Sequence, residues 1–245
     1  MAAQPPRPAT DLAIKVFADG ADLATMKALR ANPVIKGFTT NPSLMRKAGV
    51  SDYAGFAKAA LEAIPDMPIS FEVFADDFEG METEAKIIAT WGSNVYVKIP
   101  VIDAQGQSAA PLLARLTAAG VKLNVTAIYT EAQLQAASDA LRGGAPSVLS
   151  VFAGRLADMG WDPLPLVKKA VALANENPGQ EVIWASTREV WNVLEADALG
   201  VHIITAPNDV IAKLAALGEK SPDALALETV RTFVADAKAA GLSLN

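Results

Sequence analysis

A chain of 245 residues, 51% of them hydrophobic, can enclose a large core as one domain. The formal net charge is −6 with acidic and basic residues interspersed, which leaves no broad basic face for nucleic acid; an anionic ligand must be met by a few local cations. Cysteine is absent and His202 is the only histidine, excluding a disulfide framework, thiolate chemistry and a zinc site built on several imidazoles.

The N-terminal MAAQPPRPAT has neither a charged segment followed by an apolar one nor a span long enough for a bilayer, so a cytoplasmic protein with no membrane partner is expected. Its prolines work against regular structure, predicting a flexible tail over 1–10 and a folded domain over 11–245. No cofactor and no metal is expected.

Eight short apolar runs follow in order: AIKVFAD, IKGFTT, ISFEVFA, NVYVKIP, KLNVTAI, SVLSVFA, EVIWAST and VHIITAP. Between them lie alanine- and leucine-rich stretches with helical spacing, among them Tyr53–Ile64, Gly80–Trp91, Ala109–Ala119, Glu131–Leu141, Pro163–Asn175 and Asp209–Leu217. Helix-start signals stand after the second, fifth and eighth runs, at Asn41-Pro42-Ser43, Thr130-Glu131 and Pro207-Asn208-Asp209. This alternation predicts a single α/β domain with the (β/α)8 barrel architecture. The rival, an open doubly wound sheet, usually carries a glycine-rich phosphate turn after an early strand, and the chain has no GxGxxG or GxxxxGK[ST]. One more amphipathic helix is predicted over 223–241, placed either on a neighbouring subunit or against its own barrel.

Barrel strands alternate between the interior and the helix layer, and functional groups gather at their C-terminal ends. In NVYVKIP, the residues Val95, Val97 and Ile99 suit the helix layer, which turns Tyr96 and Lys98 inward, with Lys98 just before Pro100. In PISFEVFA, Ile69, Phe71 and Val73 form the outer set and leave Glu72 inside. The same parity aims Asp19, Asn124, Thr126, Ser150 and Ser186 into the barrel, and it places Lys15 near the bottom rim. Desolvation favours a neutral amine, which can attack a carbonyl to form a Schiff base while neighbouring carboxylates move protons. Lys98, Glu72 and Asp19 match those roles; Lys98 and Glu72 equally fit a buried ion pair with no chemistry. His202 and the tryptophans Trp161, Trp184 and Trp191 read as packing residues.

The phrases KGFTTNPSLM, NVYVKIPV, LNVTAIYT, SVFAGRLAD and VIWASTRE, in order and on successive strands, resemble the transaldolase family, whose short-chain branch is related to fructose-6-phosphate aldolases. The resemblance implies a (β/α)8 barrel that transfers a dihydroxyacetone unit between sugar phosphates through a Schiff-base lysine, which falls on Lys98. It further implies proton transfer at the cleaved hydroxyl by Asp19 and catalysis through a bound water by Glu72. By the same carry-over, Asn41, Asn124, Thr126 and Ser150 bind sugar hydroxyls or order that water, while Arg155, Ser186 and Arg188 grip the phosphate.

Glu72 and Phe152 stand where fructose-6-phosphate aldolases carry glutamine and tyrosine, which sides with transaldolases. Thr187 departs from the phenylalanine common in the family's ASF[RK] phrase, leaving a sulfonated sugar open as an alternative to a phosphorylated one. An aldolase releasing free dihydroxyacetone and a catalytically silent sugar-phosphate-binding barrel are the other readings. A homo-oligomer is implied, of unspecified size.

Overall fold

A computed structural model describes residues 6–244. The first strand, β1 (Lys15–Asp19), leads to α1 (Leu23–Arg30) and β2 (Ile35–Thr39); α2 (Pro42–Lys47) and α3 (Tyr53–Ala63) precede β3 (Ile69–Glu72). Then α4 (Phe78–Ala89), β4 (Val95–Pro100), α5 (Ala110–Ala118), β5 (Leu123–Ile128), α6 (Glu131–Ala140) and β6 (Ser147–Val151) continue the alternation. After β6 come α7 (Ala153–Asp158), α8 (Leu164–Glu176), β7 (Gln180–Trp184), α9 (Val190–Ala198), β8 (Ile203–Ala206), α10 (Asn208–Leu214) and α11 (Pro222–Ala239). All eight strands run parallel and β1 pairs with β8, which closes the barrel. The open-sheet rival is thereby excluded.

Helix starts follow local chemistry. Asp22, Asn41, Asp52, Asp77 and Ser221 each accept a hydrogen bond from a backbone N–H in the first turn of the helix that follows. Thr130 and Gln133 form a reciprocal capping box at α6. Gly120, at φ 84°, ends α5 and lets Val121 N–H reach back to the Leu116 carbonyl.

The apolar residues divide as strand parity requires. Val95, Val97 and Ile99 belong to the large cluster between strands and helices, with Phe71, Leu112, Leu123 and Val182. A separate small cluster of Phe17, Val148, Ile183, Ala185 and Ile203, with Tyr96 and Phe152 against it, fills the barrel interior. Gly37 makes room there: a Cβ on it would lie 2.6 Å from the Phe17 ring. At the N-terminal ends of β1 and β7, Lys15 pairs with Glu181, as expected of a bottom-rim lysine.

Residues 1–5 of the expected tail lie outside the described residues. Beyond them, Arg7 pairs with Asp197, and Ala9–Asp11 form a single 3-10 turn. Ser186 lies two residues past the end of β7, not within the strand, because the backbone leaves the sheet at Ala185 and turns to φ 66° at Ser186. Among the described residues no helix is long and apolar enough to cross a membrane. No residue of α11 is buried, so the helix does not cover its own barrel: Leu225, Leu227, Val230, Phe233 and Val234 are between 49% and 66% exposed.

Candidate active site

Parallel register carries inward residues from strand to strand. Asp19 is level with Thr39, Glu72 with Lys98, Lys98 with Asn124, and Pro100 with Thr126. Because these positions lie at or near the C-terminal strand ends, their side chains converge on one cavity of about 490 Å³ at the mouth of the barrel. Asp19, Asn41, Glu72, Lys98, Asn124 and Thr126 line it, and Ser150, Phe152, Arg155, Ser186 and Arg188 complete the lining. Every residue singled out from the sequence as a site candidate therefore faces the same space. His202 does not: its Nδ1 accepts from Val182 N–H, beside Lys15 and Glu181 at the other end of the barrel, and burial lowers its pKa.

Lys98 is 7% exposed, and its Nζ lies 3.0 Å from Glu72 Oε2 and 3.2 Å from the Thr40 carbonyl oxygen. Glu72 Oε2 makes this contact as a charge pair and receives no well-aligned hydrogen bond. The Glu72 backbone carbonyl accepts from the Tyr53 hydroxyl at 3.0 Å, and Tyr53 packs edge-on against Phe71 and Trp91, fixing β3 from outside. Burial pushes the Tyr53 hydroxyl far above the usual phenol range.

Asp19 ends β1, two strands beyond Glu72 on the same side of the lysine in strand order. Its Oδ1 accepts from the Thr39 hydroxyl at 2.8 Å, and Thr39 in turn shares a hydrogen bond with Thr205. Burial pushes the Asp19 carboxyl above the ordinary aspartate value, opposed by the Lys98 charge and the Thr39 hydrogen bond and reinforced by Glu72. Asp19 is thus poised to hold a proton more readily than a surface aspartate.

A relay of amide and hydroxyl groups forms the neighbouring wall. Ser150 Oγ donates to Asn124 Oδ1 at 2.6 Å, and Asn124 Nδ2 donates to Ser70 Oγ at 3.0 Å. Thr126 Oγ1 is buried with no hydrogen-bond partner, an arrangement that costs about 1–3 kcal/mol unless a ligand or water satisfies it. Asn41 Oδ1 is engaged by Leu44 N–H at the start of α2, leaving its amide nitrogen to the cavity. The cap and the site roles weighed for Asn41 are compatible.

The far wall comes from the end of β6 with α7 and from the turn after β7. Arg155 places its guanidinium 5.6 Å from the Phe152 ring centroid, and the Phe152 ring packs 5.4 Å from that of Tyr129. The backbone leaves ordinary space at Ala127, φ 60°, and at Ser186, φ 66°; both residues line the cavity. Non-glycine residues in the left-handed region cost stability and concentrate at functional sites. Thr187, the departure from the ASF[RK] phrase noted in the sequence, is buried and donates to the Thr205 carbonyl at 2.7 Å, tying the turn to β8.

Sequence reasoning missed Thr39, Thr205 and Asp158. The first two line the cavity and matter through contacts across strands; Asp158 matters through a contact across turns. Asp158 stands three residues after Arg155, a spacing that on a helix suggests a pair between those two. It bonds Arg188 instead, through Nε at 2.9 and 3.1 Å and through Nη2.

Fold and site together define a (β/α)8 barrel whose mouth gathers one buried lysine paired with a glutamate, a second carboxylate and two arginines in a single cavity. The model of the transaldolase/fructose-6-phosphate aldolase family matches residues 16–245, and the chain belongs to that family. A "probable transaldolase" of Thermoanaerobacter sp. (strain X514) is 39% identical over 202 residues, covering 82% of this chain and 89% of the relative. Another, of Herpetosiphon aurantiacus, is 35% identical over 224 residues, covering 91% and 94%. Among solved structures, KGPDC from Streptococcus mutans superposes with a TM-score of 0.55 at 14% identity over 85% of this chain and 94% of its own, a likeness of fold.

Proposed function

We propose that the protein is a Schiff-base transaldolase that moves a dihydroxyacetone unit from a ketose phosphate to an aldose phosphate. The observation that carries this reading is the buried Lys98 amine, 3.0 Å from Glu72, in a cavity that also holds Asp19 and two arginines.

Lys98 passes a proton to Glu72, 3.0 Å away, and attacks the substrate ketone; the carbinolamine then loses water to give an iminium. Glu72 serves as the acid and base for that dehydration, acting through a water. Two buried oxygens that want a partner, Glu72 Oε2 and Thr126 Oγ1, support such a water-binding role. Asp19 removes the proton of the hydroxyl next to the bond that breaks. The C–C electrons flow into the iminium, an aldehyde leaves, and an enamine stays on Lys98; the enamine carbon then bonds to the carbonyl carbon of an acceptor aldehyde, and water hydrolyses the resulting iminium to release the new ketose and the free lysine. Asn41, Asn124 and Ser150 supply donors and acceptors for sugar hydroxyls, and Phe152 supplies an apolar wall. At the far end, Arg155, Ser186 and Arg188 suit a tetrahedral oxyanion, since guanidinium groups give charge-assisted, directional hydrogen bonds.

A homo-oligomer is part of the same proposal, because α11 exposes a row of large apolar side chains that a lone chain leaves in water. The reaction is tested by following fructose 6-phosphate consumption with and without an aldose phosphate acceptor. Turnover that requires the acceptor is the expected result. Sustained release of dihydroxyacetone without acceptor favours the aldolase reading, and no turnover with any ketose donor favours the silent barrel.

A further inference from the structure

The two segments that make the far wall of the cavity, α7 and the turn after β7, are stitched together at two points. At the inner point, Gly154 N–H donates to the Ala185 carbonyl at 3.3 Å, and the Gly154 Cα approaches the Ser186 carbonyl so closely that a Cβ there would lie 1.6 Å from the oxygen. At the outer point, the Asp158 carboxylate spans the Nε–Nη2 edge of Arg188. Arg155 sits between these stitches in sequence, at the end of the cavity that Arg188 shares. The Arg188 backbone is held independently, its N–H donating to Asn192 Oδ1 at 3.0 Å.

A guanidinium has five N–H donors in one plane. With Asp158 on the Nε–Nη2 edge, the plane is fixed and the Nη1–Nη2 edge is left for another acceptor. We propose that Asp158 is a positioning residue for oxyanion binding: it orients Arg188 and sets its spacing from Arg155, so that both guanidiniums meet one phosphate-type group together. The proposal rests on the functional reading above only in taking this end of the cavity as the oxyanion site.

Simple electrostatics points the other way. Asp158 brings a negative charge to a place meant for an anion, so its removal should tighten anion binding if charge alone matters. The side chains are 46% and 47% exposed, and an ordinary surface pair of that kind contributes little to anything. Positioning predicts the opposite sign: a freed Arg188 must be ordered anew each time the anion binds, and affinity falls.

The test uses the 245-residue chain with Asp158→Ala, Asp158→Asn and Asp158→Glu. Inorganic phosphate is titrated calorimetrically, and KM and kcat are measured with fructose 6-phosphate. Asp158→Ala is expected to weaken phosphate binding about tenfold, the size of one charge-assisted hydrogen bond. KM rises more than kcat falls, Asp158→Asn is intermediate, and Asp158→Glu recovers part of the loss. Reaction with dihydroxyacetone, which carries no phosphate, falls less than reaction with fructose 6-phosphate. Unchanged or tighter phosphate binding in Asp158→Ala overturns the proposal, as does a wild-type protein that binds no phosphate. Thermal melting checks the fold, and if the alanine variant does not fold, the asparagine variant decides by the same criterion. Failure of the transaldolase reading is seen separately, as absence of turnover in the wild-type protein, and leaves the phosphate titration valid.

Discussion

Asp19 combines a functional and a structural cost in one side chain. Its carboxyl is pushed up by burial, so the folded state binds the proton more tightly than the unfolded chain. The stabilisation from this proton is complete below the ordinary carboxylate range and is lost as pH rises through the raised folded value. Asp19→Asn, which stays neutral and keeps an oxygen for Thr39, is therefore expected to melt higher than wild type at pH 7, with the gap closing as pH falls through the Asp19 titration. A gap that widens in acid contradicts this. Transfer activity of the same variant is expected to fall about 10²–10⁴-fold, the usual size of a lost acid–base group. The position of Asp19, like those of Lys98 and Glu72, was legible in the sequence because alternation along a strand is a local property. The Thr39–Thr205 link that supports it was not, since it joins side chains 166 positions apart that meet only when the barrel closes.

The strands and helices set the site by register and by how tightly their connections pack. Glu72 stands opposite Lys98 because β3 and β4 pair in that register, and a slip by one residue would turn either group into the helix layer. Gly154 plays the corresponding part where α7 meets the turn after β7. Gly154→Ala must displace the Ser186 carbonyl, and we expect a loss of about 1–3 kcal/mol in stability, measured by denaturant unfolding, with a rise in KM for phosphorylated substrate. Unchanged stability and KM would contradict this account of the far wall. Apolar periodicity sufficed for the eight strands, whereas the left-handed turn at Ser186 carries no glycine to advertise it. That turn moves Ser186 out of the strand in which alternation alone had placed it.

For the molecule as a whole, α11 is the element least explained by its own chain. The sequence announced an amphipathic helix but could not say what it packs against, since periodicity identifies a face and not its partner. Its apolar side chains stay exposed on the isolated protomer, and the proposed oligomer gives them a surface to cover. By light scattering, the 245-residue chain is expected at a multiple of 25.6 kDa, and a chain ending at Leu217 at lower mass with its barrel circular dichroism retained. Equal stoichiometry for both chains contradicts a role for α11 in assembly.

One amine, that of Lys98, carries the proposed chemistry. Incubation with fructose 6-phosphate followed by borohydride reduction and peptide mass spectrometry is expected to place a covalent adduct on Lys98 and none on Lys98→Met. An adduct on any other lysine, or no adduct with a ketose donor that is turned over, contradicts the account.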